Sequence, residues 1–164
     1  MTQAPNSVVT DEMRAMVGVE GPPMTLEVEK TNCRMFARSV GHKDPIYYDE
    51  AAAKARGYRS IVAPPGFMGT PIFNPTAPPQ GPAGGGRGYS IPYKRVLNGG
   101  TDYEYFPENG TICAGDTITA RGKISGFEET EGSLGPMLIT TRETTYTNQD
   151  GKVVAKMYGT TIQY

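Results

Sequence analysis

Apolar residues recur at helical spacing in one stretch of the N-terminal half. Cys33, Phe36, Ala37 and Val40 occupy positions i, i+3, i+4 and i+7, which places them on one face of a predicted helix. Gly41 follows at the position where a left-handed conformation ends many helices. Because Cys33 lies on the apolar face, the pattern predicts a buried core thiol and not a nucleophile.

Two shorter helices are predicted from capping residues. Asp11 is positioned to cap a helix with Met13 and Met16 on one face, and Asp49 to cap a second helix, Glu50 to Arg56. The second helix has acids first and bases last, which suits the helix dipole.

The C-terminal half has the alternation of antiparallel strands. Apolar and polar residues alternate between Ile118 and Ile124, as expected of a strand with one solvated face. Good strand formers fill Leu138 to Thr147, and a last strand is predicted from Val153 to Ile162. Asp150-Gly151 between these two segments is a strong hairpin signal.

Proline and glycine are concentrated in the middle of the chain. Eight of the 14 prolines fall between Pro64 and Pro92, and Pro71 and Pro75 cut off the helix that begins near Phe67. We predict a long irregular loop over residues 74–93 within a single domain, 1–164, with residues 1–9 disordered or loosely attached. A linker between two domains is the alternative, but each flank is short for a domain.

Composition narrows the classes of function. The chain has 164 residues and a formal net charge of -1, so nucleic acid and anionic membranes are not expected partners. Two cysteines outside a CxxC motif and one histidine predict no metal site and a reduced, cytoplasmic chain. The sequence has neither the apolar run of a membrane span nor the pattern of a signal peptide.

The segment after the main helix carries a family resemblance. Gly41-His42-Lys43-Asp44-Pro45-Ile46-Tyr47 resembles the Gly-Asp-x-Asn-Pro-Leu-His signature of MaoC-like, (R)-specific enoyl-CoA hydratases. In that family the Asp and His of the signature, here termed the catalytic dyad, activate water. This sequence has His42 and Tyr47 at the two dyad positions and Asp44 at the Asn position. Met16 to Thr25 also resembles the entry segment of FAS1-like N-terminal dehydratase domains.

Two further stretches extend the resemblance to nearly the whole chain. Ala63-Pro64-Pro65-Gly66 is similar to the start of the family's central helix, and Asn98-Gly99-Gly100 to its His-Gly-Gly strand. The resemblance implies an α+β hot-dog fold, a curved antiparallel sheet around a central helix that the prolines shorten here. It also implies that the Gly66 N–H, at a helix start, faces the thioester oxygen of the substrate. The alternative is that Gly66 only lets the chain pass close to a strand.

The resemblance implies a substrate site at the start of the central helix and on the Asn98 strand. The predicted substrate-binding residues are Pro65, Gly66, Phe67, Met68, Ile72, Phe73, Asn98 and Gly99. A shortened helix is typical of relatives that act on bulky acyl groups such as steroid side-chain thioesters. A surface excursion without a cavity is the alternative.

Three functions remain open. In the first, the chain is a hydratase subunit that shapes the acyl pocket, while a second MaoC-like hot-dog subunit supplies the dyad. In the second, it is a homodimeric hydratase with a rearranged site around His42, Asp44 and Tyr47, although tyrosine is a weak base near neutral pH. In the third, it binds acyl-CoA without catalysis. All three involve a CoA thioester and no other cofactor.

Overall fold

The chain folds around one antiparallel sheet. A computed structural model describes residues 7–69, 88–133 and 135–164. Five strands pair in the order β1-β3-β4-β5-β2, and every pairing is antiparallel. The helices and strands are α1 (Asp11–Ala15), β1 (Met24–Glu27), α2 (Lys30–Ser39), α3 (Glu50–Ala55), β2 (Val96–Tyr105), β3 (Thr117–Gly132), β4 (Gly135–Thr147) and β5 (Val153–Gln163). Single 3-10 turns occupy Pro45–Tyr47, Phe67–Gly69 and Pro107–Asn109.

One face of the sheet forms the main core. Ala120, Tyr146 and Ala155 lie side by side across β3, β4 and β5, and all three are buried. Cys33 of α2 and Phe67 pack in the same cluster. The predicted alternation of the C-terminal half is therefore confirmed, since successive residues of each strand point to opposite faces. Burial raises the pKa of the Cys33 thiol to about 12, as expected of a core cysteine.

Helix α2 ends as its sequence predicted. Gly41 has φ +77°, its N–H donates to the Arg38 carbonyl, and the His42 N–H donates to the Ala37 carbonyl. These two bonds form a Schellman motif, which satisfies carbonyls that the last turn leaves unpaired. The motif fixes the path of the chain into the segment that carries the family signature.

The two aspartate caps have different outcomes. Asp49 caps α3, because its carboxylate accepts from the Ala51 N–H at 2.8 Å. The predicted cap at Asp11 is wrong. Thr10 is the cap, with its Oγ1 accepting from the Met13 N–H at 3.2 Å, and Asp11 is the first helical residue. A threonine one position earlier offers the same acceptor, so composition alone did not separate the two.

Parts of the predicted ends also need correction. Val40 is 51% exposed, because α2 stops at Ser39 and the chain turns away from the core. Val9 is buried, and the Val8 N–H donates to the Glu129 carboxylate, so the predicted loose attachment is wrong for residues 7–9.

Some of the predictions fall on residues that the structure does not describe. Residues 1–6 lie outside the described residues. In the predicted loop, residues 88–93 are irregular and residues 74–87 are outside the described residues. A single domain over the whole chain stays a prediction.

A second cluster covers the far end of the same sheet face. Val9 and Met13 of the N-terminal segment pack with Leu138, and Tyr89 joins them from the segment that precedes β2. At its centre the Tyr89 hydroxyl lies 2.9 Å from Thr140 Oγ1, which donates to Gln163 Oε1 at 3.2 Å. The Gln163 amide donates back to the Tyr89 oxygen at 3.4 Å. This closed triangle satisfies three polar groups inside an apolar cluster.

Tyr89→Phe is expected to lower the free energy of unfolding by about 1–2 kcal/mol, because Thr140 and Gln163 would each lose a partner in a buried site. Urea denaturation measures the difference. Tyr93→Phe is the matched control, since Tyr93 packs in the same cluster and no hydrogen bond of its hydroxyl is present in the described residues. Equal losses in the two variants would mean that the triangle contributes nothing specific.

Candidate functional site

The segment that carries the family signature lies between α2 and α3. The His42 ring packs against the Tyr47 ring, with centroids 5.1 Å apart and a 41° tilt. The His42 carbonyl accepts from the Tyr48 hydroxyl at 2.5 Å, which holds the loop closed. Within the described residues, no hydrogen bond to the His42 imidazole is present. The two dyad positions are therefore adjacent, as the signature requires, but they bring together an imidazole and a phenol.

Asp44 is committed to local contacts. Its Oδ1 accepts from the Ile46 N–H at 3.1 Å and so caps the turn Pro45–Tyr47. Arg56 Nη1 donates to both carboxylate oxygens, at 2.9 and 2.7 Å. The backbone bond and the guanidinium lower the pKa of Asp44. A carboxylate that is held ionised by its cap and ion pair has little basicity left to activate water.

A cavity of about 180 Å³ opens beside this segment. It is lined mainly by apolar and aromatic side chains from the signature segment, the Pro64–Met68 stretch, the end of β2 and the loop before β3. The lining residues are Ile46, Tyr47, Tyr58, Val62, Ala63, Pro64, Pro65, Phe67, Met68, Tyr105, Pro107, Gly110, Thr111, Ile112 and Val154. No aspartate, glutamate or histidine belongs to this lining, which is drawn from the described residues.

Tyrosines supply most of the polar atoms that the cavity side chains offer. Burial raises the pKa of Tyr105, although the Gly66 N–H partly offsets that effect. Burial and the nearby Asp44 raise the pKa of Tyr47. Both phenols therefore stay protonated at neutral pH, where they can donate hydrogen bonds but cannot act as bases.

The predicted free donor at Gly66 is instead occupied. The Gly66 N–H donates to the Tyr105 hydroxyl at 2.7 Å, and Gly66 has φ +83°, outside the helical region. The Phe67–Gly69 segment is a single 3-10 turn and not the start of a regular α-helix within the described residues. A Cβ on Gly66 would lie 3.4 Å from the Phe36 ring of α2, an ordinary contact distance, so the positive φ and not a close approach to a strand is what favours glycine here.

The other predicted substrate residues divide into three groups. Pro65, Phe67 and Met68 line the cavity. Asn98 and Gly99 do not belong to its lining. They lie at a bulge in β2, where Asn98 Oδ1 accepts from the Gly100 N–H at 3.0 Å. Ile72 and Phe73 lie outside the described residues.

Most of the chain matches one family model and several known proteins. The family described as "FAS1-like, dehydratase domain region" matches residues 15–157. The chain belongs to this family. A UPF0336 protein of Streptomyces avermitilis is 31% identical over 121 residues, which cover 73% of this chain and 76% of that protein. A probable enoyl-CoA hydratase alpha subunit of Thermomonospora curvata is 28% identical over 131 residues, 74% of this chain but 40% of that protein.

The structural comparison confirms the fold of this FAS1-like dehydratase-region chain. The C-terminally truncated HadBC complex, a (3R)-hydroxyacyl-ACP dehydratase of Mycobacterium tuberculosis, superposes with a TM-score of 0.68 and 23% identity. The match covers 90% of this chain and 96% of that chain. The curled antiparallel sheet is therefore that of a hot-dog fold, and the MaoC-like resemblance is confirmed. In the described residues, no helix is long and apolar enough to span a membrane.

Among the cavity residues of this FAS1-like chain that the sequence did not indicate are two tyrosines. Tyr58 follows α3, and Tyr105 ends β2, far along the chain from the signature. For Tyr105 a signal existed, because the Asn98-Gly99-Gly100 resemblance runs into a strand with Tyr103 and Tyr105 at alternate positions. Residues at i and i+2 share one face of a strand, and this face points to the core.

Proposed function

We propose that this chain is the dyad-free subunit of a hydro-lyase that interconverts enoyl and (R)-3-hydroxyacyl thioesters. The observation that carries the proposal is the cavity lining, in which the described residues contribute tyrosine hydroxyls but no carboxylate and no imidazole. Hydration needs a base that delivers water to C3 and an acid that returns a proton to C2. A partner hot-dog subunit with the Asp and His of the signature would supply both.

Tyr47 and Asp44 of the signature segment support this assignment. Tyr47 has a raised pKa and so cannot take a proton from water near neutral pH. Asp44, the third polar residue of the segment, is held by Arg56 and the Ile46 N–H. The role left for this chain is to shape an apolar cavity for the acyl group, which is the first of the three functions that the sequence left open.

The volume of the cavity limits the size of the acyl group that this chain can hold by itself. A cavity of about 150 Å³ can hold benzene, so the 180 Å³ found here suits an acyl segment of a few carbons. A bulky acyl group such as a steroid side chain would need further room from the partner. A thioester of a bulky acyl group is therefore part of this proposal. CoA is the proposed carrier, because the relatives include a probable enoyl-CoA hydratase alpha subunit.

The partner would bind at β2. Nine of the ten β2 residues are exposed, and Val96 and Leu97 are 44% and 49% exposed. Among the described residues, β2 has one neighbouring strand, β5, so its other edge offers unpaired backbone groups. The HadBC complex, to which this fold is similar, is a (3R)-hydroxyacyl-ACP dehydratase complex. An exposed edge strand of this length suits pairing with a second hot-dog chain.

The test is an assay of crotonyl-CoA hydration by the purified full-length chain, alone and co-purified with a dyad-bearing MaoC-like chain from the same organism. We expect no turnover by the chain alone and turnover by the complex that exceeds that of the partner alone. Turnover by the isolated chain at ordinary enzyme rates, ~1–1000 per second, would contradict the proposal.

A homodimeric hydratase is the second candidate, and the contact between the His42 and Tyr47 rings favours it. An imidazole against a phenol could position water without a carboxylate. In that case the isolated chain would be active, and His42→Ala would abolish its turnover. The assay above separates the two candidates with one added variant.

A further inference from the structure

Tyr105 is fixed at the boundary between the sheet and the cavity. It is the last residue of β2, it pairs with Ala155 of β5, and its ring stacks on Tyr103 with centroids 6.0 Å apart. Its ring lines the cavity and is also 39% exposed, so one side of it is open. The backbone pairing and the ring stack together set where the hydroxyl lies.

That hydroxyl captures the backbone donor of Gly66. The distance from Gly66 N to Tyr105 Oη is 2.7 Å. A phenol oxygen can accept one hydrogen bond and still donate its own proton. Within the described residues, no acceptor for the Tyr105 proton is present. In the part of the chain that the structure describes, the hydroxyl therefore has one hydrogen-bond partner, the Gly66 N–H, and its own proton can still be donated.

Accepting a bond makes the phenol a better donor. A hydrogen bond received at oxygen polarises the O–H, which strengthens the next bond by about 10–30% in a chain of hydrogen bonds. Because burial raises the pKa of Tyr105, the proton is retained at neutral pH. The pair therefore links the Gly66 N–H, which is not part of the cavity lining, to the hydroxyl of a residue that is.

We propose that the Tyr105 hydroxyl donates a hydrogen bond to the carbonyl oxygen of an acyl thioester bound in the cavity, with the Gly66 N–H behind it as a relay. Tyr105 is then a binding and positioning residue for the carbonyl. This inference rests on the proposed function for the class of ligand. It replaces a direct bond from the glycine N–H with a bond through the tyrosine, because the described geometry leaves the N–H no free position.

The experiment compares two ligands that differ only at the carbonyl. Butyryl-CoA has the thioester carbonyl, and S-butyl-CoA has a methylene in its place. Calorimetry gives the affinity of both ligands for the full-length wild type, Tyr105→Phe and Tyr103→Phe. Tyr103→Phe is the matched control, since it removes the same atom from the stacked neighbour, which does not line the cavity. Circular dichroism verifies that each variant is folded.

We expect the wild type and Tyr103→Phe to prefer butyryl-CoA by about 2- to 10-fold, the value of one net hydrogen bond, and Tyr105→Phe to lose that preference. A preference that Tyr105→Phe keeps or increases would overturn the inference, since the hydroxyl would then only anchor or block the Gly66 N–H. Absence of any preference in the wild type would also overturn it. In either case the proposed function still stands if both ligands bind. If neither ligand binds, recognition of acyl-CoA by this chain is contradicted as well.

Discussion

Arg59→Met is expected to lower the free energy of unfolding by about 3 kcal/mol at neutral pH, because it leaves a buried carboxylate without its counter-charge. Arg59 binds Asp116 with both ends of its guanidinium, at 2.8 Å for each nitrogen–oxygen pair. Asp116 is 3% exposed, while the Arg59 side chain is 59% exposed. Removing the arginine therefore leaves the buried Asp116 carboxylate without a counter-charge, and an unpaired buried charge is strongly destabilising.

The expected cost is at the lower end of the range for broken buried ion pairs because Asp116 keeps other partners. Its Oδ2 accepts from the Cys113 N–H at 2.9 Å, and Gln149 Nε2 donates to Oδ1 at 3.3 Å. The Asp116 carbonyl also accepts from the Val28 N–H. This one residue ties together the end of β1, the start of β3 and the β4–β5 turn.

The pH dependence has a definite sign. Burial acts to raise the pKa of Asp116, but Arg59 and the Cys113 N–H outweigh it and hold the pKa below its ordinary value of 3.8. A carboxyl group with a lowered folded-state pKa stabilises the fold above its unfolded pKa, and that contribution is lost as the pH falls through the folded pKa. In Arg59→Met burial is opposed less, so the carboxyl takes up a proton at higher pH than in the wild type. The stability difference should therefore shrink as the pH is lowered from about 7 towards 4.

Urea denaturation of both proteins across this pH range is the measurement, and Arg56→Met is the control. The Arg56–Asp44 pair is exposed on both sides, at 54% and 38%, and such pairs contribute about 0–1 kcal/mol. A loss in Arg59→Met no larger than that in Arg56→Met would show that the burial of Asp116 does not matter to stability.

The sequence predicted those parts of the fold that are determined by residues close together in the sequence. The Asp49 cap and the left-handed Gly41 each need a few residues in sequence, and both are present. The hairpin at Asp150-Gly151 formed as well, with Asn148 Oδ1 accepting from two N–H groups of the turn. The ion pair of Asp116, by contrast, has no local signal, because it joins Asp116 to Arg59, 57 positions away in the sequence.

The candidate site was predictable as a region and not as a set of contacts. The signature predicted that His42 and Tyr47 are neighbours, and the Ala63-Pro64-Pro65-Gly66 resemblance predicted a site that includes Pro65, Phe67 and Met68. The capture of the Gly66 N–H by Tyr105 was not predictable, because it joins residues 39 positions apart through the curl of the sheet. A sequence resemblance transfers local geometry, whereas the partner of a backbone donor is decided by tertiary packing.

Thr101→Pro is expected to abolish binding of the proposed partner subunit while the chain itself still folds. Arg95 and Tyr164 exchange both backbone bonds, and the Phe106 N–H donates to Val154, which fixes the alternation along β2. By that alternation the Thr101 N–H points away from β5, to the free edge. Within the described residues no strand pairs with this edge, so proline there removes a donor that β5 does not use, and its ring keeps a partner strand at a distance.

Thr101→Val is the matched control, because it keeps the N–H and favours strand conformation. Size-exclusion chromatography with light scattering, on the chain alone and mixed with its dyad-bearing partner, measures association, and the hydration assay measures the consequence. If the partner pairs with the β2 edge, Thr101→Pro loses the complex and the activity together, while Thr101→Val keeps both. A complex that survives Thr101→Pro would move the interface away from β2. The dyad would then have to reach the cavity from the side of the signature segment, where His42 and Tyr47 lie.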